Sequence, residues 1–147
     1  MPASFRVRDI ELKDRPRWEP LWHDYQTVRK IPEEVTEMTW RRFFDGLEPV
    51  YALVAEEGED VIGFVHYLFH RSTAKLGPIC YLQDMFTVET ARGRGVGRAL
   101  IDGVCVRAKA AGASRVYWNT GEGNAAARVL YDKVATLTRF VQYRKEL

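Results

Sequence analysis

Apolar and polar positions follow two different periods along the chain. Strand patterns cover residues 5–10, 50–55, 61–70, 79–88 and 115–118, and another lies around 140–143. Three-and-four spacing, typical of helices, covers residues 15–25, 31–46, 96–112 and 124–135. Residues 56–60 are charged and contain Gly58, so they predict the turn of an antiparallel hairpin between two of the strands. The pattern predicts a mixed sheet with helices on its faces.

The second helical segment combines acidic residues at its start with an apolar face. The carboxylates near the N-terminus favour the helix dipole whatever their function; they are Glu33, Glu34 and Glu37. Gly46 is predicted to stop the helix. The positions at three-and-four spacing are Val35, Met38, Thr39, Arg42 and Phe43.

Composition narrows the class of protein. The 147 residues are 46% hydrophobic, which predicts a single domain, 1–147, with a sizeable core. A net charge of +2 is too small for unspecific nucleic-acid binding. Because no apolar run has the length of a membrane span, we expect no membrane partner and a cytoplasmic location. Cys80 and Cys105 lack metal-ligand spacing, so we expect reduced thiols, Cys105 packed on its helix face, and no metal.

A glycine-rich loop, residues 92–97, stands between the strand at 79–88 and the helix that follows it. Glycines let backbone N–H groups approach an anion, and a helix N-terminus adds the positive end of its dipole. A dinucleotide fingerprint would need glycine at Arg98 or Leu100, and the Gly-Lys-Ser/Thr ending of a phosphate loop is absent. The loop predicts a pyrophosphate cradle; the alternative is an ordinary strand-to-helix turn.

A second motif opens the last helix. Asn124 is predicted to cap it, small residues fill its first turn, and Leu130 and Val134 share one face. Tyr131 falls about one turn after Ala127.

Together the two motifs resemble the acetyl-CoA site of GNAT-type N-acetyltransferases. The matching residues are Arg92-x-x-Gly95-x-Gly97 and Asn124-x-x-Ala127-x-x-Leu130-Tyr131. The strand at 81–87 is similar to the Leu-Glu-Asp strand of polyamine acetyltransferases, and the ending at 134–143 resembles small fungal-type histone/polyamine acetyltransferases. The resemblance implies a GNAT-like α/β (α+β) fold with a mixed, largely antiparallel central sheet and about four flanking helices.

The resemblance also implies how acetyl-CoA would be bound. Backbone groups of Met85, Phe86 and Thr87 would hold the pantetheine arm like an added strand. Asn124 and Ala127 would lie beside the CoA arm, with Asn124 also capping its helix. The amides around the pyrophosphate, with charge added by the arginines, would come from Arg92, Gly93, Arg94, Gly95, Val96, Gly97 and Arg98.

Acetyl transfer to an amine needs a proton acceptor and a proton donor. A lysine-like amine with a pKa of about 10.4 is neutral in only about one molecule per few thousand at pH 7. The resemblance makes Tyr131 the acid that protonates the leaving thiolate. The family's glutamate is Gln83 here, which takes no proton, so it would order a water.

Asp84 follows Gln83 in the same strand. Strict alternation puts the side chain of Asp84 on the opposite face of the strand from that of Gln83. Asp84 can therefore take the place of the family's glutamate only if the strand contains a bulge. Two other roles are open for this carboxylate: it binds a cationic substrate, or it pairs with an arginine. His66 and His70 lie on one strand face, where packing or hydrogen bonding is favoured over metal binding. Four aromatic residues have two open roles, to line an acceptor pocket or to fill the core: Trp22, Tyr25, Trp40 and Tyr67.

These observations predict an enzyme that transfers an acetyl group from acetyl-CoA to a primary amine: a small amine, a polyamine or a lysine-bearing peptide. One alternative is an acyl-CoA-binding regulatory module with little activity, because Gln83 replaces a carboxylate. Another is a nucleotide-binding protein, which the loop alone would support. The apolar strand predicted at 140–143 needs a neighbour, so we expect a homodimer.

Overall fold

One mixed sheet forms the centre of the molecule. The computed structural model describes residues 4–27 and 30–147, so residues 1–3, 28 and 29 of the predicted domain lie outside it. Strands β1 to β4 are antiparallel neighbours in sequence order, and β5 pairs parallel to β4. The strands are β1 (Arg6–Asp9), β2 (Val50–Glu57), β3 (Asp60–His70), β4 (Ile79–Thr87) and β5 (Val116–Tyr117). The predicted hairpin and the mixed, largely antiparallel sheet are confirmed.

Four helices of the described chain flank the sheet, as predicted: α1 (Arg15–Tyr25), α2 (Glu33–Arg42), α3 (Val96–Ala110) and α4 (Ala125–Val134). Helices α1 and α2 cover one face with a tryptophan-rich cluster, and α3 covers the other with an aliphatic one. Leu130 and Val134 of α4 pack against the aliphatic cluster, as their shared face predicted. No helix in the described ranges is long and apolar enough to cross a membrane.

The packed face of α2 differs from the predicted one. Val35 and Met38 are 44% and 46% exposed, whereas Thr36 and Trp40 are buried. The reason is a specific contact: the indole N–H of Trp22 donates to the Thr36 hydroxyl at 3.0 Å, which turns this side of α2 inward. The hydroxyl of Thr36 is satisfied there, so a polar residue takes a core position.

The strand predicted at 140–143 is absent from the described fold. Helix α4 ends at Val134, and the chain then continues without regular structure, with Phe140, Val141 and Tyr143 exposed by 92%, 77% and 94%. The neighbouring edge explains this, since β5 has two residues and offers very little of a hydrogen-bonding ladder. The β-type pattern at 140–143 therefore pairs with no strand of residues 4–27 and 30–147.

Candidate active site

The glycine loop leads from β4 into α3 in left-handed backbone conformations. Gly93 and Gly95 have φ of 78° and 84°, which L side chains rarely adopt, and Gly95 is the N-cap of α3. The first bond of the helix runs from the Ala99 amide to the Gly95 carbonyl at 3.0 Å. The amides of Val96, Gly97 and Arg98 precede that bond and are therefore donors without a carbonyl partner in the helix. This is the geometry expected of an anion cradle.

Close packing fixes the start of α3 between β4 and α4. A Cβ added to Gly97 would lie 3.4 Å from Leu130 Cδ2 and 3.5 Å from Met85 Cε. A Cβ at Gly63 would lie 3.0 Å from both Val96 Cγ1 and the Phe86 carbonyl oxygen. The loop amides are thus held on a rigid base, which limits the entropy lost when they bind an anion.

The loop arginines are engaged in different ways. Arg94 forms an ion pair with Glu57 at the end of β2 and donates to Ser4. That contact with Arg94 holds the pKa of the Glu57 carboxyl below its ordinary value. Arg92 donates to the Thr87 carbonyl at 3.1 Å, and Arg98 is exposed on the first turn of α3. The charge that the sequence assigned to this loop is therefore partly compensated at Arg94.

One edge of β4 is open beyond its short pairing with β5. Strand β5 pairs with β4 at Cys80 and Tyr81. On the other side, the Val88 amide donates to the Ile62 carbonyl at 3.0 Å. Alternation from Val88 directs the Phe86 backbone toward β3, and that of Met85 and Thr87 toward the open edge. Of the predicted pantetheine contacts, the Phe86 backbone is therefore excluded by its direction, while Met85 and Thr87 remain.

A bulge in β4 determines where Asp84 lies. Asp84 is opposite His66 and Leu82 is opposite Tyr67, so Gln83 is the extra residue of β4. Strict alternation is therefore wrong here. Leu82 and Met85 pack in the aliphatic cluster on the α3 face, while Asp84 shares the other face with His66. Gln83 is exposed.

The partner of Asp84 is a histidine, not the arginine considered from the sequence. Oδ2 of Asp84 lies 3.0 Å from Nδ1 of His66, whose side chain is 5% exposed. The phenol of Tyr25 faces the same carboxylate. Burial raises the pKa of Tyr25, and the charge of Asp84 and hydrogen bonding to it raise that pKa further.

Tyr131 of α4 is half-buried and packs against the aliphatic cluster. The ring of Tyr131 packs edge-on against Trp118 with 5.4 Å between centroids. Burial raises the pKa of Tyr131 itself, which keeps its proton available for donation.

Asn124 occupies the predicted N-cap position but does not cap α4 with its side chain. Its Nδ2 donates to the hydroxyl of Thr120 at 3.1 Å instead. The predicted side-chain cap is therefore wrong, because the Asn124 backbone, with φ of −78° and ψ of 68°, is not in the extended conformation typical of capping residues. Ala127 is half-buried on the next turn.

A polar aromatic group on the outer strands was missed from the sequence. The rings of Tyr81 and Tyr117 lie 4.9 Å apart, and the Tyr117 hydroxyl is 2.9 Å from Nε2 of His70. Nδ1 of His70 lies 2.9 Å from the carbonyl of Arg71, so Nδ1 donates and Nε2 accepts from Tyr117. Side-chain alternation within the strand predicted at 115–118 was the sequence feature that could have placed Tyr117 on one face of the sheet.

The remaining candidates have structural roles. Trp22 and Trp40 are core residues between α1, α2 and the sheet, and Tyr67 is buried on the α3 side. Cys105 is exposed rather than packed, while Cys80 is buried. Glu37 forms an ion pair with Arg15. The side-chain atoms of Glu19, His23 and Glu33 that could bind a metal ion lie within 4.8 Å of one another. Arg15 also contacts Glu19 and Glu33, so a protein cation already lies beside this acidic group.

Comparisons with known proteins agree with this geometry. A family model described as the Acetyltransferase (GNAT) family matches residues 13–135. The D-amino-acid N-acetyltransferase HPA3 of Saccharomyces cerevisiae is 40% identical over 143 residues, which cover 95% of this chain and 89% of the yeast protein. The chain therefore belongs to the GNAT acetyltransferase family, and it is an acetyl-CoA-dependent N-acetyltransferase.

Solved structures show the same fold at low sequence identity. A ribosomal-protein-alanine N-acetyltransferase from Brucella melitensis biovar Abortus 2308 superposes with a TM-score of 0.82 at 20% identity, covering 97% of this chain and 99% of that one. The aminoglycoside N-acetyltransferase AAC(6')-Iy in complex with CoA superposes with a TM-score of 0.83 at 17% identity, covering 100% and 98%. The finer assignment to histone or polyamine enzymes stays a prediction.

Proposed function

We propose that this enzyme acetylates the α-amino group of a small amino acid, with D-amino acids as the preferred class. The yeast relative, 40% identical across nearly the whole chain, supports the substrate class. The observation that carries the proposal is the carboxylate of Asp84 beside the phenol of Tyr25, on the sheet face away from α3. A carboxylate and a phenol are suited to bind an ammonium group.

The residues have complementary roles in the reaction. Amides of residues 92–97 and the open edge of β4 hold acetyl-CoA, and Asp84 takes a proton from the acceptor ammonium. The amine nitrogen then bonds to the thioester carbonyl carbon, the carbon–sulfur bond breaks, and Tyr131 gives its proton to the sulfur. The nitrogen loses its second proton to solvent, and the phenolate of Tyr131 takes a proton back from solvent. Direct proton transfer to Asp84 replaces the water ordered by Gln83 that the sequence suggested.

The alternative of an acyl-CoA-binding module without catalysis is less well supported. It was motivated by the missing carboxylate at Gln83. The bulge in β4 places the carboxylate of Asp84 one residue later, and burial keeps the Tyr131 phenol protonated. A proton acceptor and a proton donor are therefore both available.

Release of the CoA thiol from acetyl-CoA tests the proposal. The panel contains D- and L-enantiomers of the same amino acids, spermidine, an aminoglycoside, a lysine-bearing peptide and an amine-free control. We expect turnover with D-amino acids that exceeds that with their L-enantiomers. Turnover with spermidine or the peptide alone would contradict the substrate class, and acetyl-CoA binding without any turnover would favour the module.

The exposed segment after α4 supports a second proposal, that two copies of the chain associate. Its apolar side chains are exposed although the pattern at 140–143 suits a strand, and β5 is a short edge strand with room for a neighbour. The residues concerned are Leu137, Phe140, Val141 and Tyr143. Light scattering should give a dimer mass, reduced toward the monomer by Phe140→Glu with Val141→Glu. A monomer mass for the unmodified protein at high concentration would contradict the proposal.

A further inference from the structure

A hydrogen-bonded chain leads from the core of the molecule to Asp84. It begins at Trp18 in α1, which is fully buried, and whose indole Nε1 lies 3.0 Å from Nε2 of His66. An indole nitrogen only donates, so Nε2 of His66 must be the acceptor. A neutral imidazole with an accepting Nε2 carries its proton on Nδ1. Trp18 therefore determines the tautomer of His66.

The other ring nitrogen of His66 faces the catalytic candidate. Nδ1 lies 3.0 Å from Oδ2 of Asp84, across the register position that the two residues share. With its proton on Nδ1, the imidazole donates to the carboxylate. The opposite tautomer would set the Nε2 proton against the indole N–H and leave Asp84 facing a lone pair. The indole, the imidazole and the carboxylate thus form one directed chain of hydrogen bonds.

Aromatic packing prevents the imidazole from turning. The ring of Phe64 stacks on His66 with 4.6 Å between centroids and an interplanar angle of 28°. Phe43 and Trp22 lie at 4.9 and 5.0 Å from the same ring. A rotated imidazole would lose both hydrogen bonds at a buried position, where an unpaired polar atom is destabilising.

We propose that Trp18 and His66 are positioning residues for Asp84, an inference that rests on the proposed function of that carboxylate. His66 anchors Oδ2 and leaves Oδ1 for the acceptor ammonium. A neutral imidazole orients the carboxylate without adding a positive charge beside the proton acceptor, as an arginine would. Trp18 contributes by preserving the only tautomer that can do this.

The chain itself provides a matched pair of variants for the test. Trp18 and Trp22 are both buried in α1, both pack against the His66 ring and both donate an indole hydrogen bond of 3.0 Å. The acceptor differs, since Trp22 donates to Thr36. Trp18→Phe and Trp22→Phe therefore remove similar packing and one hydrogen bond each, and only the first frees Nε2 of His66.

Steady-state kinetics separates positioning from stability. We expect Trp18→Phe to lower kcat about tenfold, part of the 10²–10⁴ that proton transfer contributes, with KM for acetyl-CoA unchanged. Trp22→Phe should stay within about twofold of wild type, although both variants lower the melting temperature. His66→Asn, which keeps an N–H donor near Nδ1, should retain more activity than His66→Phe. Equal kcat for the two tryptophan variants would overturn the inference.

Nitrogen NMR of the imidazole gives a readout that does not depend on turnover. The sequence has three histidines, so the His66 signals can be assigned by substituting the other two. We expect the Nδ1–H tautomer in the wild type and in Trp22→Phe, and a mixture of tautomers in Trp18→Phe. A wild-type His66 protonated on Nε2 would overturn the inference. Absence of wild-type turnover would contradict the proposed function instead, and the tautomer would still show whether Trp18 sets it.

Discussion

Arg94 in the glycine loop forms an ion pair with Glu57 at the end of β2, so a negative charge lies next to the positive charge of the loop. Removing that carboxylate increases the positive potential at the loop. We predict that Glu57→Gln tightens CoA binding about two- to fivefold at low salt, and less at high salt because exposed charges are screened. Calorimetry at two salt concentrations measures both effects.

Glu59→Gln is the matched control for this change. It lies in the same hairpin and alters the net charge equally, while in the described part of the chain Arg94 is paired with Glu57 and Ser4. We expect CoA affinity to stay near that of the wild type. Equal tightening in both variants would show that overall charge, and not release of Arg94, is responsible.

Gly95 is predicted to be essential for the conformation of the anion cradle. Its φ is 84° and nothing lies within 4 Å of an added Cβ, so a side chain there is opposed by backbone strain and not by a clash. We predict that Gly95→Val weakens CoA binding about tenfold, because the left-handed conformation costs an L residue about 1–2 kcal/mol. Gly46→Val, also in open space but without positive φ, should bind CoA normally. Unchanged affinity in Gly95→Val would refute the cradle.

Tyr131→Phe should remove the proton donor without disturbing CoA binding. Because burial raises the pKa of Tyr131, its phenol stays protonated beyond the ordinary tyrosine pKa of about 10. We expect kcat to fall about 10²-fold, the lower range for acid catalysis, and the wild-type rate to show no alkaline loss from this group below about pH 10. Tyr143→Phe in the exposed tail serves as the control. A Tyr131→Phe enzyme of wild-type kcat would exclude the acid role.

A buried ion pair near β1 makes the folding stability depend on pH in the acidic range. Burial alone would raise the pKa of Asp14, but hydrogen bonds from Arg8, at 2.7 and 2.8 Å, and from the Glu11 amide leave that pKa lowered. The contribution of ionised Asp14 to the free energy of unfolding is complete above the ordinary aspartate pKa of about 3.9. It is lost as the pH falls through the lower pKa that Asp14 has in the folded state.

We predict that Asp14→Asn lowers the free energy of unfolding by about 1–3 kcal/mol at pH 7, because it removes the charge from one of the two carboxylates that bind the Arg8 guanidinium and leaves Glu56 as the other. Urea unfolding measures this loss, which should shrink at pH 2. Glu11→Gln, at a more exposed position, should cost less than about 1 kcal/mol. A loss in Asp14→Asn that is the same at both pH values would contradict the ionic explanation.

Local patterns were sufficient to predict most of the sheet and the glycine loop. The turn residues at 56–60 join two apolar runs, and such a hairpin needs no distant partner to define it. Gly93 and Gly95 were expected in a loop whose backbone amides can approach an anion, and both lie there with left-handed φ values. These predictions succeeded because the chemistry of each segment is contained within that segment.

Features that depend on neighbouring elements were not predictable. The bulge at Gln83 is a mismatch between two strands, and alternation within β4 alone puts Leu82 on the same face as Asp84, whereas Leu82 packs on the α3 face. The side-chain amide of Asn124 donates to Thr120, and the segment 140–143 pairs with no strand in the part of the chain that the structure describes. The cytoplasmic location and the single-domain assignment stay predictions from composition.

The most direct test of the account compares proton acceptance at Asp84 and Gln83. Initial rates of CoA release with a saturating D-amino acid are measured for Asp84→Asn and Gln83→Ala, with CoA affinity checked by calorimetry. We predict that Asp84→Asn loses about 10²–10⁴ in kcat with normal CoA affinity, while Gln83→Ala stays within a few-fold of wild type. Wild-type kcat in Asp84→Asn, or a comparable loss in Gln83→Ala alone, would contradict the assignment of Asp84 as the proton acceptor.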